Sequence, residues 1–334
     1  MSFIRSILIF FFSIPFLHSI SAQEPTYKET LILMGDRFEI TAVHPDSSLC
    51  RKAVDAAIEE ISRIENLISE WKPTSETSRI NDNAGIQPIQ VSMELFDLIV
   101  RSIKVSALAG GAFDISFAPM NNLYQFDRQE HALPSQEQIN SWVQKVGYQK
   151  IIMDEVEVSV FLPEKGMRLG FGGIGQGYAA NRAKEVMMKM GIKNGVVNAS
   201  GDITAWGKKE DGKDWQVGIG DPKNSNQYIA WLAANDIAIT TSGNYEKFFT
   251  SNGKRYGHVI DPRIGYPATG LKSVTIICPD AELADALDTA IFVIGEKEGL
   301  ELIEQLKGVE CIIVNDKDEI ITSSNLQLNY YSTK

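Results

Sequence analysis

Apolar residues recur at a spacing of three or four positions in several stretches of the chain. In one of them, Val54, Ile58 and Ile61 fall on one side of a helix. Stretches of this kind end at glycine or proline and begin beside capping residues such as Ser135 and Asp280. They predict helices at residues 48–71, 92–109, 135–146, 179–190 and 280–294.

Other stretches alternate between apolar and polar residues, as half-buried strands do. Residues 29–43 alternate in this way and are interrupted at Met34-Gly35, where glycine is typical of a bulge or of a close backbone approach. Further strands are predicted at 195–205, broken by a turn, and at 237–241. This mixture predicts an α+β fold, with a mixed, mainly antiparallel sheet, flanking helices and a ligand cleft between two lobes.

The composition of the chain is that of a globular protein. Of its 334 residues, 44% are hydrophobic and 22% are charged, which is enough for a large core. A net charge of −11 argues against nucleic acid as a partner, because phosphate backbones attract basic surfaces. Cys50, Cys278 and Cys311 are too few for a disulfide framework or a cysteine-based metal site, although one disulfide is left open.

The N-terminal residues have the pattern of a secretory signal. Arg5 precedes an apolar run at residues 7–17, and small residues lead to Ala22. We therefore expect a signal peptide at residues 1–22, a single domain at 23–334, and a protein exported across the inner membrane to the periplasm. A retained membrane anchor is the alternative, but the apolar run is shorter than the ~20 residues that a membrane span needs.

The main chemical signal is a histidine loop followed by a helix with acidic residues. His258, one of only four histidines, lies where a strand enters the turn 261–265. Asp285, Asp288 and Thr289 lie on one face of the predicted helix, opposite its apolar face. Such a cluster of oxygen atoms suits Mg²⁺ or Ca²⁺. The alternatives are a histidine bonded to backbone and a solvated helix face.

Two glycine-containing segments are further candidates for ligand contacts. Residues 170–177 contain five glycines ahead of a predicted helix, so their amides are open to an anion, although a purely structural glycine cluster is the alternative. The segment is not a Walker motif, because the Gly-Lys-Ser/Thr ending is missing. Asp114 follows Gly110-Gly111 and could bind either loop amides or a ligand hydroxyl.

Taken in order, the motifs resemble those of the ApbE family, the FAD:protein FMN transferases. The resemblance covers nearly all of the chain after residue 22. The motifs that carry it are Met34-Gly35, Trp71 with residues 75–81, residues 111–114, 172–178 and 198–202, Thr241-Ser242-Gly243-Asn244-Tyr245, and residues 258–265 and 284–289.

The resemblance implies transfer of FMN from FAD to a Thr or Ser hydroxyl of a target flavoprotein, with release of AMP. It also implies FAD as substrate and Mg²⁺ as cofactor. His258 is our candidate for the general base that deprotonates the acceptor hydroxyl. The residues implied to contact FAD are Met34, Trp71, Ala112, Phe113, Asp114, Gly170, Gln176 and Ile260. Those implied to hold Mg²⁺ are Asp285, Asp288, Thr289 and the carbonyl of Gly173.

The chain departs from the family pattern at two of these positions. Gln176 stands where many relatives have lysine, and Gly170 where many have aspartate, so we expect altered affinity for FAD more than lost function. Ser200 replaces one glycine of the usual Gly-Gly-Asp. Two further functions are kept open, an Mg²⁺-dependent FAD pyrophosphatase and a non-catalytic FAD-binding protein. The acceptor protein, which could be a subunit of a membrane redox complex, is not identified by the sequence.

Overall fold

The computed structural model describes residues 25–221, 224–244 and 247–330. The predicted signal peptide at 1–22 lies outside these residues. None of the helices in the described part of the chain has the length and apolar character needed to cross a membrane.

An antiparallel sheet of eight strands forms the centre of the described structure. Each strand pairs with its neighbours in antiparallel register. The predicted α+β fold with a mainly antiparallel sheet is thereby confirmed. With strands numbered along the chain, the spatial order is β1 (Thr26–Leu33), β2 (Asp36–Val43), β6 (Asn194–Ala199), β7 (Asp202–Trp206), β10 (Ile237–Gly243), β13 (Leu271–Cys278), β14 (Glu310–Asn315) and β15 (Ile320–Thr322).

Three helices cover one face of this sheet. They are α1 (Ser47–Ile68), α5 (Gly175–Lys189) and α6 (Ala281–Ile294). Ile61 and Ile64 of α1 are fully buried in the resulting core, and a side chain of this size contributes about 1.5–3 kcal/mol when buried. Asp280 caps α6 by accepting a hydrogen bond from the N–H of Leu283, as its position in the sequence predicts.

A smaller sheet covers part of the opposite face. Its strands are β8 (Trp215–Asp221), β9 (Asn224–Ala234) and β16 (Asn329–Tyr330). Val217 and Leu232 of this small sheet pack against Ile239 and Ile277 of the large one. Because both faces of the central strands are covered, open space for a ligand is left at the ends of the strands.

The remaining elements lie around this layered centre. The further helices are α2 (Glu76–Asp82), α3 (Met93–Leu108), α4 (Gln136–Val143) and α7 (Glu296–Ile303), with short 3₁₀ helices at Ala118–Asn122 and Tyr148–Lys150. The further strands are β3 (Ile89–Gln90), β4 (Ile152–Asp154) and β5 (Ser159–Phe161), and the hairpin β11 (Phe248–Ser251) and β12 (Lys254–Gly257).

The interrupted strand predicted at 29–43 is a hairpin of two strands. Met34 and Gly35 form its two-residue turn, with φ angles of 53° and 80°. A turn with positive φ at both positions matches the twist of the flanking strands. Gly35 therefore belongs to a turn that reverses the chain and not to a bulge within one strand.

Three helix boundaries also differ from the prediction. The helix predicted at 135–146 ends at Val143. The helix predicted at 48–71 ends at Ile68, which leaves Trp71 in the following loop. The helix predicted to begin at residue 179 begins at Gly175, so the last glycines of the 170–177 segment are helical. The polar stretch after Trp71 contains α2, which is capped by Ser75.

Candidate active site

A cleft of about 590 Å³ collects most of the residues singled out in the sequence. A hollow of about 360 Å³ adjoins it, and Glu70, Trp71, Gly172 and Gln176 border both spaces. Met34 lines the hollow. The predicted residues that line the cleft are Trp71, Ala112, Phe113, Asp114, Gly170, Gly173, Gln176, His258, Ile260, Asp285, Asp288 and Thr289.

The acidic residues of α6 are buried and are not part of a solvated helix face. Asp285 is 5% exposed and Asp288 is 1% exposed. The N–H of Gly177, in the first turn of α5, donates to Asp285 Oδ2 at 2.9 Å. Ser242, near the end of β10, donates its hydroxyl to Asp288 Oδ1 at 2.9 Å. Each carboxylate is therefore held by a second element, which fixes its position in the cleft.

Close contact between α5 and α6 depends on a glycine. A Cβ atom at Gly177 would lie 2.1 Å from the carbonyl oxygen of Ala281 and 2.8 Å from the Cβ of Asp285. No side chain fits at that distance, so only glycine lets the N-terminus of α5 reach the carboxylate. This explains one glycine of the segment in terms of packing.

The pKa values of both buried carboxyl groups are raised. Burial is the main cause, and the nearby charge of Asp202 adds to it for both Asp285 and Asp288. Asp202 begins β7 and accepts a hydrogen bond from the N–H of Thr241 at 3.3 Å. Three acidic side chains thus come together in a poorly solvated place.

The residues predicted to hold Mg²⁺ all offer oxygen atoms and all line the cleft. Gly173 lies against α6, since a Cβ atom there would be 2.9 Å from Thr289 Oγ1. Among the described residues, no group of three or more His, Cys, Asp or Glu side chains has an arrangement that could hold a metal ion. The predicted site has two carboxylates, one hydroxyl and one carbonyl, a set compatible with Mg²⁺, which usually takes one or two carboxylates and keeps substrate phosphates and waters as ligands.

His258 follows β12 and lies half-buried in the cleft wall. Its backbone N–H donates to the carbonyl of Lys247 at 3.0 Å, and its ring forms a T-shaped contact with the Phe126 ring, with 6.4 Å between the centroids. The buried Nδ1 has no hydrogen-bond partner among the described residues. Burial, helped by the charge of Lys247, lowers the pKa of His258. The imidazole is therefore neutral near neutral pH and available to accept a proton.

Asp114 is held by the protein itself. Its carboxylate accepts hydrogen bonds from the N–H and hydroxyl of Ser116, at 2.8 and 2.7 Å, and from the N–H of Tyr148 at 2.7 Å. Burial raises its pKa, and these hydrogen bonds oppose the rise. The expectation that Asp114 accepts hydrogen bonds from loop amides is confirmed. Its contact with a ligand stays a prediction.

At the two positions that depart from the family pattern, neighbouring side chains shape the cleft. A side chain at Gly170 would require its neighbours to shift, because a Cβ there would meet Ala118 at 3.0 Å and the Glu70 carboxylate at 3.1 Å. Gln176 directs its amide nitrogen to Asp36 Oδ2 at 3.5 Å, the limit of a hydrogen bond. Glu70 and Asp36 were not among the predicted residues.

The walls of the cleft offer both apolar and aromatic surface. Ala112, Phe113 and Ile260 are buried and turn toward the space. Trp71 is 74% exposed, which is unusual for so large an apolar side chain, and stands between the cleft and the hollow. An exposed indole beside a cleft of this size suits a planar aromatic ligand.

Comparison with known proteins gives consistent matches over most of the chain. The model of the ApbE family matches residues 34–313. An FAD:protein FMN transferase of Klebsiella pneumoniae (strain 342) is 29% identical over 306 residues, covering 91% of this chain and 94% of that protein. One of Escherichia coli (strain K12) is 32% identical over 247 residues, covering 72% and 70%. The crystal structure of the ApbE protein of Thermotoga maritima matches with a TM-score of 0.82 at 30% identity, covering 90% of this chain and 97% of that one.

The fold and the site define an enzyme of the transferase class, the class in which these curated relatives are named. The chain belongs to the ApbE family. The family resemblance inferred from the motifs is thus confirmed. The roles of individual residues and the domain limits 23–334 stay predictions.

Proposed function

We propose that this protein transfers FMN from FAD to a threonine or serine hydroxyl of a target flavoprotein and releases AMP. One observation carries the proposal: a single cleft holds a buried acidic cluster and a half-buried histidine whose Nδ1 lacks a partner among the described residues. Phosphoryl transfer needs both charge stabilisation and a proton acceptor. The names of the relatives support FAD as donor and a protein as acceptor.

His258 is the general base in this proposal. The acceptor oxygen forms a bond to the phosphorus of the FMN half of FAD, and its proton passes to the neutral imidazole. The bond from that phosphorus to the bridging oxygen breaks, and its electron pair leaves on the phosphate of AMP. The lowered pKa of His258 keeps the imidazole neutral before the step.

Asp285, Asp288, Thr289 and the carbonyl of Gly173 are the proposed Mg²⁺ ligands. Mg²⁺ at this place supplies neutralisation of the charge on the phosphate oxygens and on the leaving group. The chain's own contribution is to hold the carboxylates in fixed positions, through the Gly177 N–H and the Ser242 hydroxyl.

The flavin contacts are proposed along the remaining walls. Trp71 and Met34 border the outer part, whereas Ala112, Phe113 and Ile260 give buried apolar surface. Asp114, Gly170 and Gln176 complete the set of FAD contacts. We also propose that residues 1–22 direct export to the periplasm. The proposed partner there is a flavin-accepting protein, such as a subunit of a membrane redox complex.

The test is to incubate residues 23–334 with FAD, Mg²⁺ and a purified flavin-acceptor domain that contains a target threonine, and to weigh the acceptor by intact mass spectrometry. The expected result is a gain of one FMN per acceptor, lost on addition of EDTA and lost in Asp285→Asn. An acceptor in which the target threonine is replaced by alanine serves as control.

Other outcomes would contradict the proposal. Accumulation of AMP and free FMN with an unmodified acceptor would show hydrolysis instead of transfer. Stable binding of FAD without either product would show a binding protein.

A further inference from the structure

Positive charge is scarce around the cleft. Among the described residues that line it, Lys247 is the only lysine or arginine. Six carboxylates line the same space: Asp36, Glu70, Asp114, Asp202, Asp285 and Asp288. A dinucleotide brings a diphosphate into these surroundings, and its negative charge needs cationic partners.

Lys247 lies next to the proposed general base. It immediately precedes β11, and its carbonyl accepts the hydrogen bond from the N–H of His258 across the hairpin. The two residues are therefore cross-strand neighbours at the open end of this hairpin, and both line the cleft. The charge of Lys247 is also near enough to the imidazole to help lower the pKa of His258.

The ammonium group of Lys247 forms a weak ion pair. Its Nζ lies 3.6 Å from Asp36 Oδ2, the same oxygen that Gln176 Nε2 approaches at 3.5 Å. Ser200 donates to the other oxygen, Oδ1, at 2.8 Å. The lysine side chain is 61% exposed, and an exposed ion pair of this length contributes little to stability. Lys247 can therefore leave Asp36 at small cost when a stronger anion arrives.

We propose that Lys247 is a substrate-binding residue that exchanges Asp36 for the diphosphate oxygens of FAD. Asp36 holds the ammonium group at the cleft when no dinucleotide is bound, and it competes with the diphosphate for it. This inference rests on the proposed function, since it takes FAD as the ligand. It assigns to one lysine the direct positive charge that Gln176, a neutral amide, does not provide.

The competition predicts effects of opposite sign for two substitutions. Lys247→Met removes the cation and should weaken FAD binding roughly tenfold, because a charge-assisted hydrogen bond of this kind is lost. Asp36→Asn keeps an acceptor for the Ser200 hydroxyl but removes the competing charge, so it should tighten FAD binding. The double variant should bind FAD as weakly as Lys247→Met alone.

The measurement is the dissociation constant of FAD, with riboflavin as a phosphate-free probe, by flavin fluorescence in EDTA so that no divalent cation contributes. Lys254→Met is the matched control, because Lys254 lies on the same hairpin and is absent from the cleft lining. The expected result is a loss of FAD affinity in Lys247→Met that neither riboflavin binding nor the Lys254→Met variant shares.

The outcomes separate this inference from the proposed function. If the parent protein transfers FMN but Lys247→Met binds FAD as tightly as Lys254→Met does, the inference fails and the function stands. If Asp36→Asn and Lys247→Met weaken FAD and riboflavin to the same extent, the pair only supports the wall of the cleft, and the inference also fails. If the parent protein binds no FAD, both fail together.

Discussion

Asp285 of α6 accepts a 2.9 Å hydrogen bond from the backbone N–H of Gly177 in α5. This contact joins the helix that carries the acidic cluster to the helix that follows the glycine segment. A carboxylate at a helix N-terminus is stabilised by the unpaired amides and the dipole there. The contact therefore links the stability of the α5–α6 packing to the geometry of the proposed cation site.

Gly177→Ala should destabilise the protein. The new methyl group would lie 2.1 Å from the Ala281 carbonyl, so the two helices must separate. Overpacking of this kind costs about 1–3 kcal/mol of unfolding free energy, or more. Urea unfolding followed by circular dichroism measures it. Gly172→Ala is the control, since a Cβ at Gly172 meets nothing within 4 Å, and equal stability of the two variants would refute the packing argument.

Mg²⁺ should raise the melting temperature of the parent protein. A ligand that binds only the folded state at a hundredfold excess over its Kd stabilises it by about 2.7 kcal/mol. Asp288→Asn should abolish this response, because one of the two buried carboxylates is lost. Differential scanning calorimetry with and without Mg²⁺ tests it. Asp236→Asn, at an exposed site, should respond as the parent does, and an unchanged shift in Asp288→Asn would exclude this residue as a ligand.

His258→Ala should slow FMN transfer and leave FAD bound. Loss of a general base lowers a rate by roughly 10²- to 10⁴-fold. Single-turnover formation of the FMN-acceptor product measures the rate, and flavin fluorescence measures binding. His131→Ala provides the control, because His131 pairs with Asp127 and does not line the cleft. A transfer rate within twofold of the parent rate would remove His258 from the mechanism.

The pH dependence of transfer should reflect the lowered pKa of His258. A base acts in its neutral form, and burial together with Lys247 disfavours the charged form. The rate should therefore fall only when the pH drops below the ordinary histidine range. Lys247→Met removes one of the two causes, so it should move this acidic limb to higher pH. A rate profile of both proteins gives the comparison, and a limb above the ordinary range in the parent would contradict the assignment.

The sequence was most informative about features that depend on residues close together in the chain. The spacing of Asp285, Asp288 and Thr289 within one helix, and the Asp280 cap, predicted their common face correctly. Burial of that face could not be predicted, because it depends on α5 and the sheet packing over α6. The turn at Met34-Gly35 has no strong signal in the sequence, because methionine is uncommon at positive φ.

The site residues that the sequence did not predict are brought to the cleft by contacts between elements that are distant in the chain. Asp202 reaches the acidic cluster because β7 pairs with β10, more than thirty residues later in the chain. Asp36 meets Lys247 only once the first hairpin and the β11–β12 hairpin are both in place. For Asp202, the one local signal in the sequence is its position directly after the turn at Ser200-Gly201. Lys247 has no local signal, since a lysine at the start of a strand is ordinary.

The depth of Asp285 and Asp288 also implies an order of events during turnover. Their small exposed area faces the cleft, so the proposed cation would reach them through the space that the proposed dinucleotide later fills. In the proposed mechanism, the ion would therefore enter before FAD or together with it, and it would be trapped while FAD stays bound. Removal of the ion by EDTA should accordingly be fast from the free enzyme and limited by nucleotide departure from the complex.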